Sequence, residues 1–268
     1  MFQIITDASY LVIGILAQVL IGCILGILLY APLRRLFDKG LEKRNRRDKI
    51  LHALIASISG VLLPLGSYGI IPVVLSASAA GVGVRLIVSF YISNSLFNTL
   101  VPYFENTFTW GLGIKRAIIA LLAGVLSSYV IGAIKLTGSR LLRLEIPENL
   151  LGQENGIKRF AFTGNRILLS IGAYVIIGAV AESFFYAYAL GDIRTWFYSA
   201  SAGLEFARFL TKYDVGNHIF LIAIYVFNSL MSPLKLSSLL ALWNIRGVIL
   251  YYLFSFFICG ALTISLFL

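Results

Sequence analysis

The sequence predicts an all-α polytopic membrane protein of two inverted-topology repeats, with about six full spans and two re-entrant helical hairpins. Three observations predict it. Of 268 residues, 59% are hydrophobic and only 13% charged, with a mean hydropathy of +0.89; soluble domains are nearer half apolar and a quarter charged. Fourteen of the 22 Lys and Arg lie in Arg34–Lys49 and Lys135–Arg166, between apolar runs, the pattern of loops kept on the cytoplasmic side. Finally, Tyr91-Ile92-Ser93-Asn94-Ser95-Leu96 returns 134 positions later as Tyr225-Val226-Phe227-Asn228-Ser229-Leu230, late in an apolar run each time.

The elements follow in order. A first span over residues 9–31 ends at Pro32, Arg34 and Arg35, so it ends inside and the N-terminus lies outside. Gly22 and Gly26 form a small-xxx-small pair suited to close helix approach, or are ordinary membrane glycines. No basic residue precedes the first apolar run, so it is not read as a cleaved secretory signal. A basic cytoplasmic segment, Leu33–Lys49, follows and reads as helical. The next apolar stretch, Ile50–Ala80, is broken by Pro64, Gly66, Gly69 and Pro72, residues that remove donors and open a helix. It starts and ends on the inner side and reads as a hairpin with its tip near Gly66; eight full crossings by shorter tilted helices are the alternative. Spans over 84–101 and 114–134 complete a first repeat, residues 1–134. Residues 135–166 form a cytoplasmic linker, and 167–268 the second repeat. That repeat has a span at 167–189, a hairpin from the opposite face at Thr195–Asp214, and spans at 216–231 and 247–268 joined by a loop with Lys235 and Arg246. Both termini are then outside the cell membrane. Such pairs of opposed repeats with helices broken at mid-membrane are a transporter arrangement.

Several function classes are excluded or disfavoured. The positive charge is concentrated in the two basic segments, which argues against nucleic acid and for anionic headgroups of the lipid bilayer. Cys23 and Cys259 stand apart in apolar runs, so no disulfide framework, metal site or cofactor is indicated. There is no serine-hydrolase elbow, zinc-protease motif or nucleotide loop, so the chain is not read as an enzyme. A non-transporting scaffold or assembly factor is the alternative, and a homo-oligomer is compatible with either.

The stretch Gly66-Ser67-Tyr68-Gly69-Ile70-Ile71-Pro72-Val73, then Gly81, then Asn94-Ser95-Leu96-Phe97-Asn98 resembles the first-repeat signature of a predicted permease family once classed as DUF318. That family includes YraQ-like permeases and organoarsenical efflux permeases. Asn228-Ser229-Leu230-Met231-Ser232-Pro233-Leu234-Lys235 resembles its Gly-Pro-Met-x-Asp-x-Lys stretch. The resemblance implies a prokaryotic plasma-membrane permease for a small polar or ionic solute. Gly66 and Tyr68 stand where the family carries two turn cysteines, so the turn offers no soft thiolate for trivalent arsenic.

The candidate solute pathway comprises Pro64, Gly66, Ser67, Tyr68, Gly69 and Pro72, with Asn94, Asn98, Asn228 and Ser229 facing them. Backbone freed at a break must be satisfied by protein or by a watery cavity, and the same asparagines can instead be interhelical glue. A bulky residue at Gly69 is expected to stop transport and leave the fold intact. Glu182, the only acid in its span, is a candidate coupling group or an outer-interface residue. Glu205 and Arg208, spaced i, i+3, form either a charged site in the second hairpin or a solvated pair.

Overall fold

The computed structural model describes residues 2–38, 46–63, 65–98, 110–134, 142, 156–188 and 233–254. Among them are eight helices and no strand: α1 (Phe2–Asp38), α2 (Arg46–Leu62), α3 (Ile70–Ala79), α4 (Val84–Asn98), α5 (Trp110–Ile134), α6 (Gly156–Tyr188), α7 (Pro233–Leu242) and α8 (Ile245–Leu253). Among the described residues, three helices are long and apolar enough to cross a membrane, over Ala8–Phe37, Ala117–Ile134 and Gly164–Phe184. Their outer faces leave large apolar side chains exposed, including Leu28 of α1, Leu122 of α5 and Ile177 of α6. Apolar faces of that length suit hydrocarbon rather than water.

Residue pairings give the direction of each element. The place a side chain on Gly22 of α1 would take is filled by the Gly69 carbonyl, and that on Gly26 by Pro72 and Ser76, so α1 and α3 run side by side in the same direction. The small-xxx-small pair is therefore where the turn and α3 dock. In α2 and α4, Ser57 meets Ser89 and Gly60 meets Ser93, so these two also run in parallel. Leu63 is level with Asn94, whereas α3 ends beside the start of α4. The chain therefore doubles back at the break. The two arms diverge: α2 packs on α4 and α5, and α3 on α1. Gly124 and Gly132 of α5 meet Ser89 and Arg85, so α5 is antiparallel to α4.

The turn from α3 into α4 has a clear cause. Gly81 has φ of +85°. The Val82 N–H reaches the Ala77 carbonyl and the Gly81 N–H the Ser78 carbonyl. This is the Schellman closure, which needs a left-handed residue at the position glycine holds.

Two expected boundaries are corrected, while the helix of the first span runs on through Pro32 to Asp38, into the basic segment expected to be helical. Proline removes only one helical hydrogen bond, and the Arg34 Nη1 atom, 2.6 Å from the Tyr30 hydroxyl, ties the two sides together. The expected span at 167 is the continuation of α6, which begins at Gly156 inside the expected linker. Hydropathy marks only the part of a helix suited to lipid, and its polar first turns carry the chain further. The expected loop between the last two spans contains α7, whose Ser232-Pro233 start places proline at the first helical position, where its missing N–H costs nothing. Trp243 and Asn244 form the corner into α8. Leu142 of the central segment makes an isolated antiparallel bridge to Trp243 and accepts a hydrogen bond from Asn244 Nδ2 at 3.2 Å. The second hairpin, Thr195–Asp214, and the span at 216–231 lie outside the described residues.

Candidate functional site

The site begins with a missing donor. In a helix the Gly60 carbonyl takes its hydrogen bond from residue 64, which here is proline and has no N–H. The side chain of Asn94, buried on α4, supplies the replacement. Its Nδ2 donates to the Gly60 carbonyl at 2.9 Å and to the Leu63 carbonyl at 2.5 Å. Asn94 is thus brought to the break as expected, where it closes the end of α2.

The turn after the break is held against the middle of α1. Gly66 abuts the Gln18 side chain and Gly69 the Gln18 backbone, near the centre of the apolar stretch Ala8–Phe37. Pro72 is buried one turn later, and Ser67 is half-buried. Gly69 has ordinary right-handed helical dihedrals, so it is glycine for space, not for conformation. A β-carbon there would lie 2.9 Å from the Gln18 carbonyl oxygen. The expectation that a bulky residue at Gly69 spares the fold is therefore corrected: it would push α1 off the turn.

Tyr68 leaves this turn in the other direction and joins the second half. Its side chain is fully buried (0% exposed). The hydroxyl donates to the Tyr174 carbonyl of α6 at 2.9 Å and lies 2.7 Å from Ser237 Oγ of α7. A phenol has one proton, so with Tyr174 receiving it, Ser237 donates to Tyr68. Gly178, one turn after Tyr174, makes the room: a β-carbon there would meet Ser237 and lie 3.2 Å from the Tyr68 hydroxyl.

Two buried charges lie near this junction. Glu182 is 4% exposed on the face of α6 that continues from Tyr174 and Gly178, since residues four apart share a helix face. Ser183 beside it is also buried. Lys235 of α7 is 5% exposed, with Nζ 5.5 Å from the centre of the Tyr251 ring. The Tyr251 hydroxyl is 2.7 Å from Ser95 Oγ of α4. Tyr91 packs edge-on against Trp243 and Tyr251, with centroids 5.3 and 5.8 Å away. Below these rings a small apolar crevice is lined by Val88, Ile92, Ile131, Gly247 and Phe254. The junction thus combines four hydroxyls, an acid and an ammonium, at the level of the broken helix.

The chain matches a family model described as predicted permease (ArsP_1) over residues 4–197. It belongs to this predicted permease family. No curated protein and no solved structure matches it. The permease match covers the break, α4 and α6 and ends before α7, so Lys235 and Ser237 lie beyond it. It supports a membrane transporter rather than an enzyme.

Of the expected pathway residues, Gly66, Ser67, Tyr68, Gly69, Pro72 and Asn94 are gathered at the break, and Glu182 is buried one turn past Gly178. Asn98 ends α4, with its side chain outside the described residues; Pro64, Asn228, Ser229, Glu205 and Arg208 also lie outside them. Sequence reasoning missed Ser95, Tyr174, Lys235, Ser237 and Tyr251. Only α7 left a readable signal, the Ser-Pro helix start followed by a lysine and two serines among leucines.

Proposed function

We propose that this permease moves a small polar or ionic solute through a central site where the broken helix of the first repeat meets α6 and α7 of the second. The observation that carries the reading is the buried Tyr68 hydroxyl, which links the tip of the break to both second-half helices. Two groups of helices joined through a few exchangeable hydrogen bonds can separate and rejoin at low cost, as alternating access requires. The doubling back at the break supports a re-entrant hairpin entering from the cytoplasmic side. The same orientation puts the basic segments around Arg34–Lys49 and Lys135–Arg166 inside and both termini outside a cell membrane, with about six full spans and a second, opposed hairpin. Asn94 serves the site by holding the break open, and Glu182 is placed to carry a coupling proton or ion.

The test is reconstitution in liposomes on a solid-supported membrane, with currents recorded for amino acids, carboxylates, phosphate and metal cations. At least one solute is expected to give a saturable current. Tyr68→Phe is expected to slow it about thirtyfold, in line with about 1 kcal/mol for each of its two hydrogen bonds, while folded yield is kept. No current from any solute would favour the scaffold reading; an unchanged rate in Tyr68→Phe would remove the hydroxyl link from the mechanism.

A further inference from the structure

We propose that Arg85 is the phosphate anchor of a specific site for an anionic phospholipid, at the end of the molecule shared by α2, α4 and α5. The inference goes beyond the permease reading and does not depend on it. It begins with an unmet donor. Arg85 is half-buried near the start of α4, and its Nε atom is buried without a hydrogen-bond partner. No Asp or Glu occurs in α3, α4 or α5. The side chain rests in a notch left by Gly132 of α5, where a β-carbon would lie 3.0 Å from Arg85 Cδ and 3.2 Å from Nε. Gly132 is close to the end of the apolar stretch Ala117–Ile134. The guanidinium is therefore held at the edge of the hydrocarbon, the depth at which headgroups begin. Its planar fork suits a phosphate, which it can grip with two donors at once.

The surroundings select the ligand. Ser89, one turn along α4, bonds to Ser57 and to the Ala53 carbonyl of α2, so Arg85 is level with Ala53. Arg46, Arg47 and Lys49 lie one to two turns nearer the start of α2, with Asp48 the one acid among them. Two helices thus bring four cations and one acid to the same end, a balance that attracts anionic headgroups. On α5, Leu126, Val130 and Ile134 form an exposed apolar line, since residues four apart share a helix face. A lipid with its phosphate at Arg85 can lay an acyl chain along that line. A free phosphate ion would use the cations and leave the line bare. The rival is a diffuse attraction shared by all the basic residues of the chain, with no site at Arg85.

The experiment uses the full chain, purified in a neutral detergent, with thermal unfolding followed against phosphatidylglycerol, phosphatidylcholine and sodium phosphate. Phosphatidylglycerol is expected to raise the unfolding temperature saturably; phosphatidylcholine and inorganic phosphate at the same concentrations are not. Arg85→Gln is expected to weaken the apparent affinity for phosphatidylglycerol about tenfold or more, the loss of a charge-assisted hydrogen bond. Arg85→Lys, which keeps the charge without the fork, is expected to weaken it several-fold. Arg166→Gln removes the same charge from an exposed position on α6 and is expected to change the affinity by less than about twofold, because such charges are screened. Equal stabilisation of the wild-type chain by the two lipids would overturn the site, whether or not Arg85→Gln folds. So would a response to inorganic phosphate equal to that for phosphatidylglycerol. Equal losses in Arg85→Gln and Arg166→Gln would mark diffuse attraction and overturn it as well.

Discussion

Gly22→Leu is expected to abolish the folded protein, while Gly14→Leu on the same helix is expected to be near neutral. The difference is what lies opposite. A side chain on Gly22 would occupy the place of the Gly69 carbonyl oxygen, with the carbonyl carbon 2.9 Å away, whereas nothing lies within 4 Å of a β-carbon on Gly14. A flexible side chain can swing aside; a backbone carbonyl in a turn cannot. Overpacking against side chains already costs about 1–3 kcal/mol. Here α1 must leave the turn and expose the contacts of Val19, Cys23 and Ile27 in the shared core, so the loss exceeds that range. Monodisperse yield from membranes and unfolding temperature in detergent measure it. Equal yields for the two variants would show that α1 does not pack on the turn.

Asn94→Leu is the second large effect. Its size follows from which groups lose a partner. An ordinary interhelical hydrogen bond in a membrane is worth only about 0.6 kcal/mol, because its groups find other partners. The Gly60 carbonyl has no such alternative, since its natural donor position holds Pro64. Leaving a buried polar group unsatisfied costs about 1–3 kcal/mol, and Asn94 serves two. A loss of about 2–6 kcal/mol is therefore expected, a lowering of the unfolding temperature by many degrees. Asn94→Asp counts the donors: a carboxyl buried against two carbonyls is neutral and has one proton to give, so it should recover at most one of the two bonds and fall between leucine and wild type. A mild effect of Asn94→Leu would show that water, not Asn94, closes the end of α2.

Composition and charge placement made the membrane class readable, because both act residue by residue. The break was readable for the same reason: Pro64 denies the helix a donor locally, and the glycines at 66 and 69 crowd the same few positions. The docking of α3 was foreshadowed by the spacing of Gly22 and Gly26. The partners of Tyr68 were not readable. Tyr174 and Ser237 lie 106 and 169 residues away, and no local periodicity encodes such a pairing. Lys235 was placed in a loop because charge-based reading sends lysines to the interface; packing of α7 on α6 overrides that tendency and holds the ammonium inside. The comparison of the two repeats remains a sequence argument, since Tyr225–Leu230 falls outside the described residues.

The most direct measurement of a central solute site concerns Ser67, half-buried on the turn at mid-height of α1. In a chain with Cys23 and Cys259 replaced by alanine, Ser67→Cys should react with a small, charged, membrane-impermeant thiol reagent. Reaction should stop the solute current, and saturating transported solute should slow the reaction. A cysteine at position 67 that stays unmodified, or whose modification leaves the current unchanged, would contradict a pathway through the broken helix.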